Sequence, residues 1–153
     1  MIIVPNCERE DPVSDPTTTR RPVYRPDGFG TPASRDSDPM TVLPLTEQAP
    51  APNPQRPRPA VKRLLQGDGA NLIAFTFAPG QNLPDHTAAH PIIVQCVSGT
   101  LDFSSGGDTE RLRPGTVIHL REGVMHRVDC PADAAEEASV LLLTMLTGER
   151  HQG

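Results

Sequence analysis

Residues 80–99, which read GQNLPDHTAAHPIIVQCVSG, decide how this chain folds. A glycine opens the stretch, His86 follows after five residues, and the stretch closes on an apolar run that ends in Gly99. Short apolar runs rich in β-branched residues, bounded by glycine and proline, predict β-strands. The run at 92–97 is therefore predicted to be a strand.

A second stretch with a similar order of glycine and histidine lies at residues 115–126, GTVIHLREGVMH. Between the two stretches, the glycine pair at 106–107 predicts a hairpin. Working outward, the same pattern predicts no convincing helix and about eight strands, at residues 61–65, 71–78, 92–97, 100–104, 110–112, 116–120, 126–129 and 140–146. About eight short strands in a domain of this size are typical of an all-β, double-sheet jelly roll.

The first part of the chain has a different composition. Thirteen of the 18 prolines lie in residues 1–60, and large apolar residues are few there. Such a segment buries too little apolar surface to offset the entropy of ordering it. We expect residues 1–58 to be a disordered proline-rich tail, residues 59–148 to form one β-barrel domain, and residues 149–153 to be frayed. A true start at Met40 is an alternative to the longer tail.

Composition also argues against several partners and compartments. The formal net charge is −5 at pH 7, which disfavours nucleic acid and anionic membrane surfaces as partners. No apolar run approaches the roughly 18 residues of a membrane span. Three cysteines without CxxC spacing indicate neither a disulfide framework nor a zinc knuckle, and they suit a reducing cytosol. We therefore expect a cytoplasmic protein.

Taken together, the two stretches resemble the paired motifs of the cupin superfamily, over roughly residues 60–147. The first cupin motif runs glycine, five residues, His-x-His, a glutamate and a closing glycine. The second runs glycine, five residues, Pro-x-Gly, two residues and a histidine. The matching residues are Gly80, His86 and Gly99 in the first motif and Gly115, Gly123 and His126 in the second, with Arg121 in place of the proline. The resemblance implies a single cupin jelly-roll β-barrel and leaves the activity open, because cupins host many activities.

Two of the metal ligands that the resemblance implies are missing from their usual positions. The second histidine of the family falls at Ala88, and its glutamate falls near Ile92 or Ile93. His90 and Gln95 lie close by in the sequence and are the candidate substitutes. This departure lowers the expected metal affinity, because a neutral glutamine oxygen compensates the charge of a cation less well than a carboxylate.

We predict that a metal, if one is bound, is held by His86, His90 and His126, with Gln95 as a weaker fourth ligand or as a residue that orients a bound water. Three imidazole nitrogens at about 2.0–2.2 Å form a face that accepts a divalent ion such as Fe, Mn, Zn or Ni. A pocket without metal is the alternative.

Two other residues near the motifs have a structural interpretation beside a functional one. His119 shares a strand face with Val117 and is predicted to point into the barrel, where a satisfied barrel histidine is the commoner case than a ligand. Cys96 is expected to pack as a small hydrophobe.

Two functions remain open at this point, and a structural or accessory role is a third. The first is a metal-dependent enzyme for a small molecule, of the dioxygenase or isomerase kind. The second is a metal-free module that binds or senses a small metabolite in the barrel mouth without catalysis. In either case we expect a homodimer, because a barrel of about 90 residues leaves edge strands and apolar surface uncovered.

Overall fold

The computed structural model describes residues 21–148, and this part of the chain consists almost wholly of short β-strands. The strands are β1 (Val23–Tyr24), β2 (Ser34–Arg35), β3 (Ala60–Gln66), β4 (Ala70–Phe77), β5 (Asn82–Ala88), β6 (Ile92–Ser98), β7 (Leu101–Ser105), β8 (Asp108–Leu112), β9 (Val117–Leu120), β10 (His126–Asp129) and β11 (Ser139–Leu146). A single helical turn, α1, spans Leu45–Gln48, and a 3-10 turn spans Pro26–Phe29. The all-β prediction is confirmed, although β5 was not among the predicted strands.

The strands form two sheets that share one core. The five-stranded sheet has the order β1-β5-β10-β7-β8, and the six-stranded sheet has the order β2-β3-β4-β11-β6-β9. Pairing among β3 to β11 is antiparallel, whereas β1 pairs with β5 and β2 with β3 in parallel. This arrangement is the jelly roll that the strand spacing predicts.

The core follows the two-residue alternation of strands. In β6, Ile92, Val94 and Cys96 are buried, whereas the residues between them are partly exposed. Inward side chains from both sheets, including Phe75, Phe103 and Leu141, belong to one apolar cluster. Burying each large apolar side chain contributes about 1.5–3 kcal/mol, so this shared cluster is the main source of stability. Cys96 packs within it, as expected.

The closing glycine of the first motif is required by a close approach between strands. Gly99 has φ of 85°, and a Cβ at this position would lie on the side chain of Ser139 at the start of β11. The Ser139 hydroxyl is fully buried and accepts a hydrogen bond from the Thr100 amide at 3.0 Å. Any side chain at 99 would therefore disrupt the connection from β6 to β7.

The structure places residues 21–58, which belong to the expected disordered tail over residues 1–58, against the barrel. β1 and β2 each extend an edge of the barrel, and the Ala33 amide donates to the Arg63 carbonyl at 3.0 Å. Residues 1–20 and 149–153 lie outside the described residues, so the expectations for them are not addressed by the structure.

The proline-rich stretch before β3 is also held by the barrel. The Gln81 side-chain amide donates to the carbonyls of Asn53 and Arg56 at 2.7 Å each, and the Asn82 amide donates to the Pro57 carbonyl at 3.3 Å. An argument from composition considers only the apolar surface of the segment itself. Here backbone groups of the segment form hydrogen bonds with the barrel, and composition does not predict such contacts.

Within residues 21–148, the structure contains no helix that is both long enough and apolar enough to cross a membrane.

Candidate functional site

The two histidines at matched motif positions lie side by side on neighbouring strands. β5 carries His86 and β10 carries His126, and the two residues are direct partners in the antiparallel register. Their ring centroids are 4.1 Å apart with an interplanar angle of 64°, and both residues are 4% exposed. The strand that the sequence reasoning missed is therefore the one that brings the pair together.

Both rings face a small cavity between the sheets. Its other lining residues are apolar or aromatic: Tyr24, Phe75, Leu83, Ala88, Ile92, Val94, Phe103, Val128, Leu141 and Leu143. The cavity volume is about 20 Å³. Since one water requires about 10–15 Å³ by this measure, the cavity as it stands has room for one or two waters.

The hydrogen bonds of the two rings fix their tautomers. Nδ1 of His86 lies 2.7 Å from the Pro84 carbonyl oxygen, and Nδ1 of His126 lies 2.9 Å from the Val124 carbonyl oxygen. A carbonyl only accepts, so each Nδ1 carries the proton and donates. The lone pair of each neutral ring is therefore on Nε2, and both histidines achieve this with the same contact to the carbonyl two residues earlier.

Burial keeps both imidazoles neutral near pH 7. Desolvation, together with a smaller effect of the neighbouring His126, lowers the pKa of His86 to about 4. Burial likewise lowers the pKa of His126, against the opposing effect of its hydrogen bond to Val124. The site thus presents two uncharged nitrogen acceptors in apolar surroundings.

His90 and Gln95, the two predicted substitutes, are not among the residues that line the cavity. His90 is partly exposed in the turn between β5 and β6. Gln95 alternates with Val94 and Cys96, which face the core, and it pairs with Val117 of β9 and Leu142 of β11. The structure therefore brings together two of the four predicted ligands, His86 and His126, and the other two are not part of the cavity lining.

The cupin resemblance places the second histidine at Ala88 and the glutamate near Ile92 or Ile93. Ala88 and Ile92 line the cavity with the histidine pair, whereas Ile93 does not. At two of the positions where the resemblance implies ligands, this sequence therefore has a methyl and a butyl group. Across residues 21–148, no group of three or more His, Cys, Asp or Glu side chains is disposed to hold a metal ion.

The expectation that His119 points into the barrel is wrong. Ile118 and Leu120 pack against the core cluster, whereas Val117 and His119 are exposed. The sequence correctly predicted that Val117 and His119 share one face of the strand, but it assigned that face to the inside. The apolar residues at 118 and 120 occupy the inner face instead.

Three aromatic residues around the pair were not identified as site residues. Tyr24 lies 4.5 Å from His86 between ring centroids, and Phe103 stacks on His126 at 5.3 Å. Phe75 completes the apolar lining. Phe75 and Phe103 also belong to the core cluster. Tyr24 lies within the segment that was expected to be a disordered tail, and no sequence signal links it to the barrel.

Comparison with known proteins places the fold. No protein-family model matches the sequence, and no curated protein matches it significantly. Solved structures do match: a cupin superfamily protein of Desulfitobacterium hafniense has 17% identity over 72% of this chain and 94% of that one, with a TM-score of 0.55. An RmlC-like cupin of Desulfovibrio desulfuricans has 21% identity over 69% and 96%, with a TM-score of 0.56. A conserved Klebsiella pneumoniae protein with a double-stranded β-helix domain has 16% identity over 72% and 92%, with a TM-score of 0.59. At these identities the likeness concerns the fold alone.

Proposed function

We propose that this protein, a cupin by fold, binds a small molecule in the barrel cavity through His86 and His126. The observation that carries the proposal is the pair of neutral imidazoles whose Nδ1 atoms are occupied by backbone carbonyls. Each Nε2 is then available to accept a hydrogen bond. Because a hydrogen bond to an acceptor in apolar surroundings is favourable, the pair favours a ligand that donates.

The rest of the lining defines the class of ligand. Ten of the twelve lining residues are apolar or aromatic, and no lysine or arginine is among them. An anionic group would therefore lose its hydration without gaining a cation. A neutral molecule with an apolar body and a hydroxyl or N–H donor suits this lining better than an organic acid does.

Three related compounds test this chemistry: phenol, toluene, which lacks the donor, and benzoate, which carries a charge. The midpoint temperature of thermal unfolding at pH 7.5 should increase with phenol, increase less with toluene and remain unchanged with benzoate, because a ligand that binds the native state stabilises it. The advantage of phenol over toluene should disappear in His86→Leu and in His126→Leu. His119→Ala, at an exposed histidine, is the matched control and should behave as the wild type. Equal effects of phenol and toluene on the wild type would contradict the proposal.

Divalent-metal binding by the same two residues is the second candidate. It is supported by the Nδ1 donation to a carbonyl in both rings, which is the usual support of a metal-ligating histidine. The residues present fit a metal only in part, because catalytic zinc sites use three protein ligands and structural sites four. A cation at this pair would therefore be held by two imidazoles alone, which favours weak binding over a catalytic centre.

Metal content after dialysis against Zn²⁺ or Ni²⁺ tests this second candidate on the full chain. Binding should be weak, should fall in His86→Ala and in His126→Ala, and should persist in His90→Ala, since His90 does not line the cavity. Equal metal content in all the variants would count against it.

We also propose that the protein is a homodimer that associates through β9. This strand is an edge of the six-stranded sheet, and its Val117 is 56% exposed. Another candidate, β8, is an edge of the five-stranded sheet and carries charged side chains, which discourage edge pairing. Sedimentation at micromolar concentration should give twice the 16.5 kDa chain mass, and Val117→Lys should give the monomer. A wild-type monomer would overturn this proposal.

A further inference from the structure

One wall of the histidine cavity comes from outside the barrel. Eleven of the twelve lining residues belong to β4, β5, β6, β7, β10 and β11, and the twelfth is Tyr24 of β1. Residues 22–29, here called the strap, carry this tyrosine across to His86, where the ring centroids are 4.5 Å apart. Access to the pair from this side therefore depends on where the strap lies.

The strap also supplies the middle of a row of rings across the cavity. Phe29 contacts Tyr24 edge-to-face at 5.4 Å and Phe75 at 5.6 Å. Such aromatic pairs contribute about 0.5–1.5 kcal/mol each beyond their burial. The strap is thus seated by these ring contacts and by the packing of Phe29 against the core cluster, and its two aromatic residues are only partly buried.

Backbone attachment of the strap to the barrel is short. Within the described part of the chain, β1 is a two-residue strand at the edge of its sheet, paired only with β5. The Thr87 amide donates to the Pro22 carbonyl at 3.0 Å, and the Ala89 amide donates to the Tyr24 carbonyl at 2.9 Å. Short edge pairing with few buried contacts is typical of segments that open locally, well below the free energy of global unfolding.

The far end of the strap is fixed much more firmly. Nη1 of Arg63 donates to the Gly30 carbonyl at 2.9 Å, while its Nε and Nη2 donate to Oδ1 of Asn71 at 3.1 and 2.8 Å. Arg63 is 7% exposed, so this contact is part of the barrel body. Gly30, with φ of 95°, joins the loosely held strap to this anchor and is a suitable hinge.

The cavity must enlarge if it is to admit an organic ligand. A volume of about 20 Å³ holds one or two waters, and not a ring of the size of phenol. The barrel walls are continuous hydrogen-bonded strands, whereas Tyr24 is attached through the strap. Of the lining residues, Tyr24 is the one whose displacement costs the fewest backbone contacts.

We propose that the strap is a gate on the cavity, hinged at Gly30, and that the ring of Tyr24 occupies part of the space a ligand takes when the gate opens. This inference rests on the proposed function for its biological meaning, but its physical content concerns access to His86 and His126.

Carbethoxylation by diethyl pyrocarbonate measures that access on the full chain, because the reagent modifies unprotonated imidazole nitrogen. Modification of each histidine is followed by mass spectrometry at pH 7, with exposed His119 as the internal reference. Tyr24→Ala should accelerate modification of His86 and His126 by at least about tenfold, the factor for a gate closed more than about 90% of the time.

Two variants serve as controls. Tyr24→Phe retains the ring and should leave the rates within about twofold of the wild type. Val23→Ala changes the neighbouring residue, which is 49% exposed, and should do the same. Unchanged modification of His86 in Tyr24→Ala, or acceleration of His119 to the same extent in that variant, would overturn the gate.

Hydrogen exchange of single amides provides a second readout that does not depend on any variant folding well. The amides of Thr87 and Ala89 donate to the strap, so they should exchange at least about tenfold faster than the β5 amides that donate to β10. Equal protection in the two groups would show that the strap opens only with the barrel and would refute the gate.

Phenol binding, measured together with histidine modification, distinguishes the two proposals. If Tyr24→Ala raises histidine modification but neither it nor the wild type binds phenol, the gate stands and the proposed ligand class fails. If phenol binds both proteins equally and modification is unchanged, the ligand proposal stands and the gate fails.

Discussion

The two sides of the cavity are both built from β-strands, but their side chains differ in chemistry. The β5–β10 side presents two imidazoles, each oriented by a backbone carbonyl two residues earlier. The β6 side presents Ile92 and Val94, and its polar residue, Gln95, lies on the other face of the strand. A pocket with hydrogen-bond acceptors on one side and apolar surface on the other is better suited to an amphipathic neutral ligand than to chelation of a cation.

The strongest way to break this contrast is to place a carboxylate on the apolar side. Ile92 is 1% exposed and lines the cavity, so Ile92→Glu buries a charge there and should lower the free energy of unfolding by about 3–5 kcal/mol without metal. Because the new carboxylate lies beside two imidazole nitrogens, Zn²⁺ should restore part of that loss. Denaturant unfolding with and without Zn²⁺ gives both values.

The control for this variant is the adjacent position on the opposite face. Ile93 is partly exposed and pairs with His119 of β9, away from the cavity. Ile93→Glu should cost less than Ile92→Glu and should show no recovery with Zn²⁺. If both variants respond to Zn²⁺ alike, Ile92 does not face the histidine pair in the way described.

The pH dependence of stability sharpens the description of the histidine side. The pKa of His86 is lowered from 6.5 to about 4 in the folded protein, so the unfolded chain takes up a proton first as the pH falls. Stability from this residue is therefore complete above about pH 6.5 and is lost on acidification towards pH 4, by about 3 kcal/mol in all. The lowered pKa of His126 acts in the same direction.

Urea unfolding at several pH values, compared between the wild type and His86→Phe, isolates this contribution from that of the carboxylates. The difference in unfolding free energy between the two proteins should change across pH 6.5 to 4 and be constant above that range. A difference that does not vary with pH would mean that His86 titrates normally and is not buried as described.

Sequence spacing predicted the fold and half of the candidate site, for identifiable reasons. Gly80, Gly99 and Gly115 all have positive φ, and such turns fix the strand connections from very local information. His86 and His126 follow at set distances, so their pairing was predictable. His90 and Gln95 were chosen for chemical type near the motif, and neither choice took account of strand parity in β6 or of the turn before it. Tyr24 reaches the site through tertiary contact alone, which no local pattern encodes.

The smallest expected effect is that of substituting Gln95. It tests whether the face of the strand or the chemical type of the side chain is the better predictor of a site residue. Its cross-strand partners are Val117 and Leu142, and it lies on the face of β6 opposite to the cavity. Gln95→Ala should therefore change the free energy of phenol binding by less than about 0.5 kcal/mol, within the usual range for surface substitutions. His126→Ala, which removes one of the two cavity acceptors, should weaken phenol binding about tenfold or more, because a lost hydrogen bond to a buried group costs about 1–3 kcal/mol. Titration calorimetry of the two variants against the wild type measures the difference directly. A Gln95→Ala loss as large as that of His126→Ala would place the glutamine amide at the ligand and would reverse the contrast between the two sides of the cavity.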